Sequence, residues 1–315
     1  IKKISFNLKV DGSGVTKNDL QASLTGNVDK LNVLGYDYNN IIIEGDASKG
    51  KFNGYTLIED TNIYFRFDGL LDFSTEIPSF DFVAAVENAR LNKLNLAPDT
   101  CNCTLSTYVT SNFKGISIDE LEGNIGIFQT HYIQQDKEIY MEDIEITATK
   151  EDFIRKIKVN ADIVKGEISG NFKTEDLYKS FIYMVSESLP SYLKETQQPS
   201  DSVKIDYYFE IRNTEKLTQM FYPDLSITSD ITVKGNINSL ENKLVLDLSG
   251  DEVQYKKINL SDFEISNRIE NRIFQTEIEG QLLLGDSLKL TNYNFYVKAF
   301  QDLVQFESSW DIQDG

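Results

Sequence analysis

Histidine occurs once in this 315-residue chain, cysteine twice, tryptophan once and proline five times. Each scarcity removes a class of chemistry. Ser-His-Asp and Cys-His nucleophile schemes would both depend on His131. That residue lies among Gln129, Gln134, Gln135 and Asp136, a polar run that reads as a turn between strands. Cys101 and Cys103 share a face of any strand that holds them both, so a bridge between them would be strained. The expectation is two free thiols. A structural metal takes about four ligands, more than these cysteines and one histidine supply. No phosphate-cradling glycine loop precedes a helix, and no dinucleotide fingerprint occurs. The acidic pairs Glu59-Asp60, Asp119-Glu120 and Glu142-Asp143 fall at strand ends, where carboxylates serve turns and solvation. The chain reads as a non-enzyme, with no catalytic residues, no metal and no cofactor.

Positive charge is also short. Lysine and arginine number 31 against 50 aspartate and glutamate, a formal charge of −19. Nucleic acid needs a basic surface to release counterions, so it is excluded as a partner. The same sign disfavours docking on an anionic membrane surface. No apolar run approaches the roughly 18–20 residues of a membrane helix. Ile1 begins directly in alternation, with Ile4, Phe6, Leu8 and Val10 against Ser5, Asn7 and Lys9, a strand pattern and not a signal peptide. The expectation is an internal piece of a longer protein.

Alternation is what the chain has in abundance. Hydrophobic residues make up 40% and aromatics 11%, enough for a folded interior. Between Lys49 and Phe82 a glycine-bracketed bend (Gly50, Gly54) leads to a strand. It sets Ile63, Phe65 and Phe67 on one face and Tyr64, Arg66 and Asp68 on the other. The same period recurs at Ile41 and Ile43, at Ile205, Tyr207, Phe209 and Ile211, and at Leu244, Leu246 and Leu248. It recurs again at Phe274, Thr276 and Ile278, and at Val304 and Phe306, with Trp310 and Ile312 in phase. Strands separated by turn signals predict an antiparallel meander of about 18–20 strands.

One segment departs from that period. From Thr174 to Leu193 the residues Leu177, Phe181, Val185, Leu189 and Tyr192 recur at helical spacing, with Thr174 as N-cap and Pro190 as stop. Lys194–Ser202 reads as a linker, so 174–202 forms a helix-plus-linker insertion. A shorter helical turn is expected from Thr214 to Phe221. A Gly-Asn-aliphatic triplet at Gly26, Gly123 and Gly235 is followed each time by a tyrosine and two aliphatics: Tyr38 with Ile41 and Ile43, Tyr140 with Ile144 and Ile146, Tyr255 with Ile258 and Leu260. Glycine bends follow. These are three loose copies of one unit.

Such alternation fits a closed barrel, a sandwich, or a sheet curled into an open trough whose apolar face binds acyl chains. A resemblance bears on the choice. The stretches Tyr36–Ile43, Asp60–Leu96 and Phe113–Gly123, and the helix ending Leu189-Pro190-Ser191-Tyr192 before the Ile205–Ile211 strand, resemble the Bacteroidetes-type TamB family of the AsmA-like superfamily. The resemblance implies a mostly β fold, a long antiparallel meander curled into an open β-groove (β-taco). This chain would then be a single elongated groove fragment of a periplasmic protein anchored in the inner membrane. Such a groove carries phospholipid between the two membranes, and the whole protein works with a TamA-like outer-membrane β-barrel in assembling outer-membrane proteins. Groove lining would come from Phe6, Leu8, Ile41, Ile43, Ile63, Phe65, Phe67, Tyr207, Phe209, Leu244, Leu246, Ile278 and Phe306. A spacer that presents sheet edges to nascent barrels, without lipid transport, is the alternative. Asp201-Ser202-Val203 and Asp286-Ser287-Leu288 match an O-glycosylation pattern of Bacteroidetes periplasmic proteins, which makes Ser202 and Ser287 candidate acceptors.

Overall fold

The computed structural model describes residues 4–14, 21–193, 201–285 and 287–312. Among the described residues the protein is mostly β, with 68% strand and two helices. Its 19 strands form an open antiparallel sheet that does not close into a barrel. The chain divides into two compact units, Ile1–Thr147 and Ala148–Gly315.

The first unit holds β1 (Ile4–Ser13), β2 (Gln21–Val33), β3 (Tyr36–Ser48), β4 (Lys51–Asp60), β5 (Ile63–Asp72) and β6 (Ser79–Arg90). After these come β7 (Cys103–Lys114), β8 (Glu122–Gln134) and β9 (Lys137–Glu151). From β1 to β8 each strand pairs antiparallel with the next. Tight hairpins make this possible. Leu34-Gly35 and Lys49-Gly50 both sit at positive φ, which gives a turn whose twist matches the flanking strands. A longer connection, 91–102, reaches over the strand ends: Asn95 Nδ2 donates to Leu34 O at 3.2 Å, and Leu94 is fully buried.

The second unit holds β10 (Ile154–Ala161), β11 (Val164–Asn171), α1 (Thr174–Ser188), β12 (Lys204–Ile211), α2 (Glu215–Phe221) and β13 (Leu225–Ser226). The remaining strands are β14 (Ile231–Asn238), β15 (Lys243–Tyr255), β16 (Ile258–Glu270), β17 (Ile273–Leu284), β18 (Leu288–Phe300) and β19 (Leu303–Ile312). The ladder runs β10–β11–β12–β14, with β13 a two-residue flank on β15, and then in sequence to β19.

Several local expectations need correction. The N-cap of α1 is Lys173, with no side-chain cap, and Thr174 is already helical; the helix ends at Ser188 with Leu189 as C-cap, just before the Pro190 stop. The short helix expected from Thr214 to Phe221 is present as α2, with Thr214 as its N-cap. Of the expected linker, 194–200 lies outside the described residues. Cys101 and Cys103 form a disulfide with Cα atoms 5.2 Å apart, a span within the ordinary range. The strain argument assumed an extended chain, but Asn102 takes φ +45° and folds the two cysteines toward each other. His131 lies within β8, and the turn falls after it, at Gln135-Asp136.

The triplet glycines have a steric cause. A Cβ at Gly123 would stand 2.2 Å from Asn112 O, and one at Gly235 would stand 1.9 Å from Val245 O. The first two copies pair neighbouring strands, β2 with β3 and β8 with β9. The third is split, because Tyr255 ends β15 while Ile258 and Leu260 lie on β16.

Candidate functional site

Register turns alternation into continuous rows. In the first unit Val28, Ile41, Ile58, Phe65 and Val86 stand opposite one another in successive strands. The next row runs Ile43, Thr56, Phe67, Ala84, Val109 and Ile127. A third begins Leu24, Gly45, Gly54, Gly69 and Phe82. Its glycines are places of close approach, since a Cβ at Gly69 would lie 2.5 Å from Phe82 Cα. Phenylalanine rings occupy the space: Phe67 meets Phe52 at 6.4 Å and Phe82 at 5.2 Å between ring centroids. Rings laid beside strand glycines recover apolar contact that those positions lack.

Ile41 and Phe67 are buried, and Ile43, Ile63 and Phe65 are half-buried, all on this face. Tyr64, Arg66 and Asp68 are exposed on the other. The side chains of Phe6 and Leu8 lie outside the described part of the structure, although their backbones pair with Val28 and Gly26. Towards one end of the strands the rows give way to a polar cluster. Tyr36 Oη donates to Asp60, as do Asn39 N and Nδ2 at 3.1 and 3.0 Å. Burial works to raise the Asp60 pKa, but hydrogen bonds from Tyr36, Asn62 N and Asn39 outweigh it and hold the carboxyl below its usual range. At the opposite end Lys51 Nζ lies 2.7 Å from Asp72, and Ser74 donates through N and Oγ. With Lys51 the largest influence, the Asp72 pKa falls to about 2. There the 115–121 loop and the stacked Phe80 and Phe113 line a shallow, open apolar hollow of about 420 Å³.

The second unit repeats the arrangement. One row runs Ile205, Ile237, Leu244, Ile269, Phe274, Ala299 and Val304. The next contains Tyr207, Gly235, Leu246, Asn267, Thr276, Val297 and Phe306, and a third contains Phe209, Val233, Leu248, Ile265, Ile278 and Phe295. Tyr207 lies over Gly235 and donates its hydroxyl to Val245 O at 2.8 Å. Burial is the main cause that pushes its pKa up to about 12. Leu244 is buried, Phe209, Leu246 and Ile278 are half-buried, and Phe306 is 73% exposed on β19.

α1 lies on the first of these rows. Met184 packs with Leu244 and Ile269, Val185 joins them, and Leu177 packs near Phe172, Val203 and Ile205. The helical stripe read from the sequence is only partly covered. The buried residues of α1 are Asp176, Ser180, Met184, Ser186 and Ser188. Small polar side chains carry no burial signal, so the sequence offered little warning of this face. Met184, Phe172, Val203 and Ile269 were likewise missed as contact residues.

Of the other candidates, His131 Nε2 lies 2.9 Å from Glu138 Oε2, and His131 is partly exposed. Among the described residues no cluster of three or more His, Cys, Asp or Glu is placed to hold a metal, and no helix is long and apolar enough to cross a membrane. Ser202 is half-buried beside the fully buried Val203, while Ser287 is exposed. The fold and these rows define an open antiparallel sheet with one apolar face in each unit. No family model, curated protein or solved structure matches the chain.

Proposed function

We propose that the chain is a segment of a lipid conduit, with acyl chains lying along the apolar rows and head groups in water. The observation that carries this reading is the register: apolar residues stand opposite one another across strand after strand of an open sheet. Each buried methylene contributes about 0.8 kcal/mol wherever along a row it lies, so an acyl chain can slide at nearly constant free energy. No bond needs to be made or broken. The TamB resemblance extends the proposal to a periplasm-spanning protein anchored in the inner membrane, with a TamA-like outer-membrane β-barrel as its partner. Photoreactive residues at Phe65 and at Ile278, in a protein retaining its membrane anchor, should each capture phospholipid. Failure at both would sink the conduit reading.

A second reading is a scaffold in which exposed strand edges template the strands of nascent barrels. Phe67→Lys and Leu246→Glu separate the two. Normal lipid distribution with impaired barrel assembly would favour the scaffold.

A further inference from the structure

We propose that α1 is a displaceable cover, and that an aliphatic chain competes with it for the apolar row beneath. The inference rests on the conduit reading for its ligand and on the helix itself for everything else.

The underside of α1 matches what it covers only in part. Below it lie Ile205, Leu244 and Ile269, each no more than 3% exposed. Met184 packs on Leu244 and Ile269, but α1 also buries Asp176, Ser180 and Ser188, all at 0% exposure. The hydroxyls of Ser180 and Ser188 have no hydrogen-bond partner. A buried hydroxyl without a partner loses its water and receives nothing in return. Of the other apolar residues of α1, Val185 packs beside Met184 and Leu177 near Ile205, but Val185, Leu177 and Leu189 are only half-buried and Phe181 is 38% exposed. An aliphatic chain on the same row would carry no polar group into it.

Attachments at the ends of the helix offset this mismatch. Glu187 accepts from Asn242 Nδ2 at 2.5 Å and lies 3.4 Å from Arg272 Nη2, which ties it to the β14–β15 and β16–β17 turns. Lys173 Nζ holds Asp201 at 2.6 Å, and Asp302 N donates to Ser188 O at 3.2 Å. These are polar, mostly rim contacts, which can break one at a time without opening a cavity in the sheet. The N-terminus adds no side-chain cap. A helix held at its rim over a surface it matches only in part is built to lift.

Hydrogen exchange by mass spectrometry on the whole chain tests this, with monomeric palmitate as the probe. α1 amides should exchange at least about tenfold faster than those of β14–β17, through an opening smaller than global unfolding. Palmitate should speed exchange in α1 while slowing it in β14–β17. Ser180→Ala combined with Ser188→Ala should slow α1 exchange and weaken the palmitate response, whereas Glu187→Ala should speed exchange. If α1 exchanges only with the whole unit, or if palmitate slows it or leaves it unchanged, the cover is overturned. Palmitate protection confined to β3–β6 would overturn the cover and leave the conduit standing.

Discussion

Ser191 and Asp302 are 111 residues apart in sequence and are joined by two hydrogen bonds: Ser191 N and Oγ each donate to the Asp302 carboxylate at 2.8 Å. This clasp ties the segment after α1 to the β18–β19 turn. Charge-assisted bonds of this kind are stronger than neutral ones. Asp302→Ala should destabilise the protein by about 1–2 kcal/mol in urea unfolding, and Ser191→Ala by less, since the backbone donor survives. Equal effects would show that the backbone bond contributes nothing.

Asp72 predicts an acid-sensitive edge on the first unit. Its folded pKa is about 2, below the ordinary aspartate value of about 3.9. A depressed carboxyl contributes stability that is present above the unfolded pKa and lost as pH falls through the folded one. The Asp72 contribution should therefore be complete at neutral pH and disappear between about pH 4 and 2. Urea midpoints of Asp72→Asn and the parent should differ at pH 7 and converge near pH 2.

Tyr207 and Gly235 predict a steric coupling. A Cβ at position 235 would lie 2.5 Å from the Tyr207 hydroxyl oxygen and closer still to Val245 O. Gly235→Ala should cost at least about 2 kcal/mol, in the range of overpacked interiors. Adding Tyr207→Phe should relieve only the part due to the hydroxyl. A fully additive double mutant in thermal melts would remove the coupling.

Phe67 predicts an asymmetry across β5. Phe67 is 7% exposed and touches the rings of Phe52 and Phe82, while Tyr64 on the opposite face is 37% exposed. Phe67→Ala should cost about 3–5 kcal/mol, and Tyr64→Ala roughly 1 kcal/mol or less. Chemical denaturation of the two variants decides it.

Gln301 predicts a stabilising change. It occupies φ +49° in the β18–β19 turn, a conformation costly for a residue with a Cβ. Gln301→Gly should raise stability by about 0.5–1 kcal/mol, measured as a higher melting temperature.

The alternation of β5 was readable residue by residue, because each Cβ in a strand points opposite to the last. The antiparallel meander was readable from the same period, but its openness was not, since alternation by itself also allowed a closed barrel or sandwich and only the resemblance pointed to an open groove. Turns were read where glycine marked them, as at Lys49-Gly50, and were obscure at Gln301-Asp302, where two residues with side chains take positive φ. The Cys101–Cys103 bridge was misread because Asn102 bends out of the strand geometry that the argument assumed. The existence of α1 was legible, but its buried face was not. Phe181 and Tyr192 advertise an apolar stripe, whereas Ser180 and Ser188 take the covered positions because the helix lies across strand ends and turns. The rows themselves need register, which turn geometry and the facing residues of the neighbouring strand decide.

The two-residue hairpins have a kinetic consequence. A meander joined by short turns lets each strand find its partner immediately after it in sequence, so chain closure costs little entropy at each step and the ladder can grow as a zipper. Loss of one hairpin then need not propagate to its neighbours. The clasp from Ser191 to Asp302 is different in kind, since it must wait until β12–β19 are in place. It should form late, and unfolding of the second unit should begin with its release.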